Sequence, residues 1–564
     1  LDIKDKSILV LGGYGLVGSA VCRELLLREP DRLLVGSLRR SQAESAVEQL
    51  KRGWPESATA IVPVWGDVLL RAEWQSDDGD VHPRTRVLGQ PTQRRRLVAD
   101  ILDELDADAL EASLLYQLIT GGWQDLGGRG ADIVIDCMNT ATAVAYQNIF
   151  QAARKLEGRI HAQEPTDWPA EVERLFTSLY IPQLVRHMQI FYESMVAAGT
   201  QAYVKVGTSG TGGMGFNIPY THGEERPSRV LLSKSAVAGA QTMLIFLLAR
   251  TPGAPPVMKE VKPTAAIAWK GIDFGPIRAG GRELPLYDCD PDVPAPLDDP
   301  ATTAPQGSFG AATDAILESV YIDSGENGLF AVGEFTALTT LGQMAFVTPE
   351  EIAHNVVSEI EGGNTGKDVV AALDSSVMGP SYRAAFLRSA ALNRLHQLER
   401  EHDVESVAFE LLGPPRLSKL LFEAYLIKRV APRLSQAAEA RPESLSEQCF
   451  ALVHDDTHLR RQMISIGIPV LVPDGTGLLR GPVIKSPDAD HGWVDLRPDN
   501  MRRWQARLRA MRSEIQASLE GDTSSQFDRP FTASREWADS DQFDIGEIVG
   551  WVFNEEEGGR RGKS

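Results

Sequence analysis

At 564 residues the chain is too long for one simple core, and roughly 100–200 residues per domain predicts about three domains. Its 43% hydrophobic and 24% charged content is ordinary globular composition. A formal net charge of −20 excludes nucleic acid and an anionic membrane surface as main partners, since both need a basic footprint.

In chain order, residues 7–11 predict a strand and 16–28 a helix, followed by a second strand over 33–37. A helix over 41–52 has Ser41 as a candidate N-cap. The stretch 59–68 contains a third strand. Residues 69–130 interrupt the pattern with a polar segment and a helical run, and they read as an insertion. A fourth strand lies in 131–139, a long helix near 179–198, a fifth strand in 202–210, a helix over about 232–250 and a sixth strand in 257–269. The apolar run 235–249 is too short to span a membrane and reads as a buried core helix. Short apolar strands alternating with helices predict a doubly wound parallel α/β sheet of the Rossmann kind over 1–285. Residues 286–308 are rich in Pro, Asp and Thr and predict a long loop. A capping box is expected at Thr348, Pro349 and Glu351. The remainder divides into a mostly helical part over 286–440 and a large α+β extension over 441–564. The four cysteines, Cys22, Cys137, Cys289 and Cys449, form no CxxC pair and fit free thiols in a reducing, cytoplasmic setting. No signal peptide is expected ahead of the first strand.

The stretch LGGYGLVGSAVCRELL carries the first functional signal. Gly12, Gly15 and Gly18 have GxxGxxG spacing, and Gly13, Gly15 and Gly18 have GxGxxG spacing. Such a turn brings backbone amides to a pyrophosphate at a helix N-terminus, with Tyr14, Leu16 and Val17 supplying the rest of the cradle. After the second strand, GSLRRSQ offers no acidic residue for a ribose 2′-hydroxyl. Ser37, Arg39 and Arg40 suit a 2′-phosphate instead, so NADP is expected over NAD. A solvated basic helix start is the plainer alternative.

On these residues the first half resembles the short-chain dehydrogenase/reductase family, over about residues 5–275 and nearest its extended or atypical branch. Four stretches follow the family's landmarks. WGDV implies that Asp67, with Val68, lies beside the adenine, and CMNTATA implies Asn139 beside the cofactor. VGTSGTGG implies a catalytic Ser209, with Thr208 in reserve. VKPTAAIAW implies Pro263 and Thr264 beside the nicotinamide. The family's Tyr-x-x-x-Lys is kept only in part: Lys234 stands in RVLLSKSAVAG, but the Tyr position is Val230, which cannot transfer a proton. Tyr220 and His222, in the intervening loop, are the candidate substitutes, with Glu224 or Glu225 open to base chemistry.

Other constellations are weaker. HDDTH places His454 and His458 at i and i+4, as zinc pairs stand on one helix face, but no third ligand is evident and no metal is expected. The run Arg94–Arg96 reads as a solvated helix face, and Trp504 and Trp551 as core. The expectation is an NADP(H)-dependent oxidoreductase acting on a small-molecule carbonyl or alcohol, with Ser209, Tyr220 and Lys234 catalytic. The insertion and tail would cover the site or join a homo-oligomer. A nucleotide-sugar epimerase or dehydratase with tightly held cofactor, and a non-catalytic NADP-binding scaffold or sensor, are the alternatives.

Overall fold

The computed structural model describes the chain except for residues 76–81, 125, 163–166, 208–228, 264, 280, 326–327, 341–345, 364–367, 371–374, 379–381, 412–414, 522–540 and 557–564. It divides into two compact units. One comprises residues 1–217, 226–268 and 346–384, and the other residues 218–225, 269–345 and 385–564.

The first unit is built on a doubly wound sheet. Strands β1 (Ser7–Leu11), β2 (Arg32–Ser37), β3 (Ala60–Trp65), β4 (Ile133–Asp136), β5 (Ala202–Val206) and β6 (Val257–Pro263) lie in the spatial order 3-2-1-4-5-6, all parallel. This is the strand order of dinucleotide-binding α/β sheets. The sheet continues past β6 with Ser375–Met378, also parallel, and ends in the antiparallel edge strand Asp368–Val370. The doubly wound unit is therefore discontinuous in sequence.

Side-chain alternation along the strands explains the two layers. Ile8, Val10, Leu33, Val35, Ile133 and Ile135 point to a face covered by helices α1 (Leu16–Leu26) and α2 (Arg40–Gly53) and by the helix Pro349–Ile360. Leu9, Leu11, Leu34, Val134 and Tyr203 point to the other, covered by Leu114–Thr120, Tyr180–Ala198 and Arg229–Leu248. The predicted capping box is present: the Glu351 amide donates to Thr348 Oγ1 at 3.2 Å, and the Thr348 amide to Glu351 Oε2 at 2.9 Å.

Three expectations change in this unit. The N-cap of α2 is Arg39, not Ser41, and no side chain caps that end. The apolar helix Arg229–Leu248 is buried on one side only; Leu232, Met243 and Leu247 are exposed, because the sheet covers a single stripe of it. In the 69–130 segment Arg94 is buried rather than solvated. Its guanidinium pairs with Glu173 at 2.6 Å and donates to the Leu88 carbonyl.

Among its described residues the second unit has no dominant sheet. Gly271–Pro276, Glu318–Asp323 and Leu329–Phe330 form a three-stranded antiparallel sheet. Four short strands, Ala295–Pro296, Gly477–Leu479, Val470–Leu471 and Val494–Asp495, form another. So the stretch 286–308 holds strand residues rather than loop alone. Trp504 is fully buried and Trp551 nearly so, as expected of core. His454 ends the helix Pro442–Asp455, whereas His458 belongs to the next, Thr457–Ser465; Asp456 separates them, so the pair does not share a helix face. No group of three or more potential ligands gathers to hold a metal among the described residues. Among them, too, no helix is long and apolar enough to cross a membrane.

Candidate active site

The C-terminal ends of β1 to β6 carry the site. At the end of β1 the chain turns through Gly12 with φ +78°, a left-handed conformation that favours glycine. The Gly13 amide donates to the Gly36 carbonyl at 2.7 Å, tying the turn to β2. A Cβ on Gly18 would stand 2.1 Å from the Gly12 carbonyl oxygen, so only glycine lets α1 start this close to β1. Helix α1 opens at Gly15 with no side-chain cap and no acidic residue in its first turn. Its free amides and positive dipole end are those of a phosphate cradle, so the turn fits a dinucleotide pyrophosphate. Tyr14 packs against the core beneath and Val17 lies within it, while Leu16 is half-buried. These three offer backbone rather than side chain to the cradle.

Neighbouring strand ends converge on this turn. Ser37 ends β2, and its hydroxyl donates to Gln42 Oε1 at 2.8 Å. Arg39 is exposed at the start of α2. Arg40 pairs with Glu44 at 2.8 Å and lies over the Trp65 ring, 4.9 Å from its centroid. Asp67 follows β3 and is buried, its carboxylate accepting from the Leu69 amide; Val68 is buried beside it. Asn139 follows β4 and caps the next helix by accepting from the Thr142 amide at 3.2 Å. Pro263 ends β6, paired with Met378.

Lys234 is 3% exposed, on the face of its helix that also carries Ala238 and Gln241. Spacings of four and three residues stack these side chains in one row, and Val230 falls one turn earlier in it. Ser209, Tyr220 and Thr264 lie outside the described residues, as do Thr208, His222, Glu224 and Glu225.

A polar cluster missed in the sequence sits between the ends of β4, β5 and β6. Lys205 Nζ is 2.9 Å from Asp136 Oδ2 and donates to the Met138 carbonyl at 2.6 Å; both side chains are almost wholly buried. Tyr203 donates to the same Asp136 oxygen at 3.3 Å, and burial together with Asp136 pushes its hydroxyl well above the usual range. On β6, Glu260 Oε1 stands 3.5 Å from Lys262 Nζ and 3.3 Å from Thr242 Oγ1. Burial raises the Glu260 carboxyl above its ordinary range, against the pull of Lys262, Thr242 and Lys205. Charges inside apolar strands, as in YVKV and MKEVKP, were the available signal.

Residues 286–557 match the family model described as Beta-methylindole-3-pyruvate reductase C-terminal domain. No curated protein matches the chain. Among solved structures, a short-chain dehydrogenase from Sphingobium yanoikuyae in complex with NADPH is 14% identical, with TM-score 0.23, covering 46% of this chain and 71% of that one. A 3-oxoacyl-[acyl-carrier protein] reductase from Brucella melitensis is 16% identical, with TM-score 0.24, covering 47% and 71%. A short-chain type dehydrogenase/reductase from Mycobacterium ulcerans is 13% identical, with TM-score 0.28, covering 70% and 99%. By its sheet order the first unit has a doubly wound dinucleotide-binding fold, and residues 286–557 are similar to the C-terminal domain of a reductase.

Proposed function

We propose that the chain is an NADP(H)-dependent oxidoreductase that reduces the ketone of a 2-oxo acid bearing an aromatic side chain. The match of residues 286–557 to a reductase family named for an indole-pyruvate carries the substrate class. The glycine turn supports the cofactor, with Gly12, Gly13, Gly15 and Gly18 holding the pyrophosphate and Asp67 and Asn139 flanking the rest. Arg39, exposed beside Ser37 and Arg40, favours a 2′-phosphate. NADPH would supply hydride at its nicotinamide C4. Lys234, buried on the row shared with Gln241, would hold the nicotinamide ribose and place a positive charge there. Ser209 stays as the proposed orienting residue, and Tyr220 as one candidate for the proton donor.

The test follows nicotinamide absorbance with NADPH, then NADH, and indole-3-pyruvate as probe. Oxidation with NADPH alone, lost in Lys234→Ala, is the expected result. NADPH that binds without being oxidised across a panel of carbonyl compounds would sink the reading. It would favour the scaffold alternative, which Val230 supports by removing the usual proton donor.

We also propose a homo-oligomer and a cytoplasmic, small-molecule role. Leu232, Met243 and Leu247 form an exposed apolar row on one helix. Sedimentation velocity that returns a monomer at all concentrations would remove the oligomer.

A further inference from the structure

Between the ends of β4 and β5 lies a cavity of about 10 Å³, lined by Asn139, Thr140, Lys205, Gly207, Gln241 and Glu260 among others. That is room for one water. Three polar atoms on its lining side chains have no hydrogen-bond partner among the described residues: Glu260 Oε2, Gln241 Nε2 and Thr140 Oγ1. Their residues are 4%, 4% and 3% exposed. Leaving such buried groups unpaired is costly, so the site selects a small hydrogen-bonding occupant. One water can accept from Gln241 Nε2 and exchange a proton with Glu260 Oε2.

Gly207, at the end of β5, leaves room for the carboxyl: a Cβ there would stand 2.2 Å from Glu260 Oε1 and push it aside. Gly207 directly precedes the stretch 208–228, which carries the proposed catalytic Ser209. The usual donor of this fold is lost at Val230, on the same helix face as Lys234 and Gln241.

We propose that Glu260 is the proton reservoir of the reduction, passing its proton through the water in this cavity to the oxygen of the reduced carbonyl. The proposal rests on the reductase reading above. The alkoxide left after hydride transfer takes a proton from the water and becomes the alcohol. The water takes one from Glu260 Oε2 and is restored, and Glu260 becomes a carboxylate. It regains its proton from solvent beside Lys262 and Thr242, since the Lys262 side chain is 19% exposed. Among the described residues, the other charged and titratable groups that act on Glu260 are Lys205 and Tyr203 on β5, with Asp136 on β4 paired to Lys205. Burial keeps the carboxyl protonated to higher pH than an ordinary glutamate, which suits a donor. Glu260 acts through the water, so it is a positioning and proton-holding residue.

The experiment compares the wild-type chain with Glu260→Gln and Gln241→Leu, using NADPH and indole-3-pyruvate. Three readouts are taken: the pH profile of kcat, the dissociation constant for NADPH, and the infrared band of a buried carboxylic acid. Glu260→Gln should lower kcat by about 100-fold and flatten its alkaline limb. NADPH binding should hold, and the wild-type-minus-variant spectrum should show the lost protonated-carboxyl component of Glu260 above the unchanged contributions of the buried Glu334 and Glu410. Gln241→Leu should lower kcat about tenfold and leave that band in place. An active wild type whose pH profile survives Glu260→Gln overturns the reservoir. A wild type that oxidises no NADPH defeats the reductase reading instead. The infrared difference then decides whether Glu260 is a proton-holding site: a protonated-carboxyl component lost between wild type and variant supports that, and identical carboxyl bands in both overturn it.

Discussion

The two units are stabilised in opposite styles. In the first, a continuous parallel ladder satisfies the backbone, and apolar side chains fill both faces. In the second, short broken strands leave backbone amides that buried carboxylates must answer. Glu334 accepts from the amides of Ala331, Phe409 and Glu410, at 2.9, 3.0 and 3.0 Å. Glu423 accepts from the Asp495 amide and the Trp504 indole, each at 2.8 Å. Arg480 does the converse, donating to the carbonyls of Ala301, Thr302 and Ala304. A regular sheet spreads its polar satisfaction over many weak bonds, whereas an irregular fold concentrates it on a few ionisable side chains.

The largest expected effect tests the regular unit at its tightest point. Gly18→Ala forces a methyl against the Gly12 carbonyl, so the turn must open. NADPH affinity by calorimetry should fall by at least ~100-fold, about 3 kcal/mol, while the second unit's thermal transition stays put. Next, Glu334→Ala leaves three buried amides unpaired. It should cost the second unit about 3–5 kcal/mol by denaturant titration, with NADPH binding retained. Equal destabilisation of both units would break the comparison.

A smaller effect sharpens it, because pH should act on the two units with opposite sign. In the first, burial holds His187 down to about 4, so it stays neutral when folded. As pH falls from 6.5 toward 4 the unfolded chain takes up that proton first, and stability is lost. In the second, burial lifts Glu410 to about 7 from 4.5. As pH rises between those values the unfolded chain gives up its proton first, and stability is again lost. Each effect is on the order of 3 kcal/mol at most. Scanning calorimetry from pH 4 to 7.5 should show the first unit's transition rising and the second's falling. Smallest is Trp504→Phe, which removes one charge-assisted bond to Glu423 and should cost about 1–2 kcal/mol.

The same contrast explains what the sequence disclosed. β1 to β6, their helices and the Thr348 capping box were legible because each is written in local periodicity and turn chemistry. The glycine turn was legible because its spacing is its mechanism. The Asp136–Lys205 pair was not, since a lysine inside a strand gains its meaning from an aspartate 69 residues away in sequence. Nor was the second unit's architecture, where Glu423 meets Asp495 and Trp504 across 72 and 81 residues. Arg94 misled for the same reason: a run of three arginines looks solvated until a distant Glu173 takes one of them inside.

The discontinuity of the doubly wound sheet bears on synthesis. β6 is an open edge until Ser375–Met378 emerges to pair with it, and residues 264–374 come between. At about 5–20 residues per second those residues take on the order of ten seconds to be translated. For that interval a nascent chain with six strands in place shows a row of unpaired amides and carbonyls, the kind of edge other chains can template on. Charges at Lys259, Glu260 and Lys262 on that strand, the last two facing the site, would then guard the unfinished edge against aggregation on the ribosome.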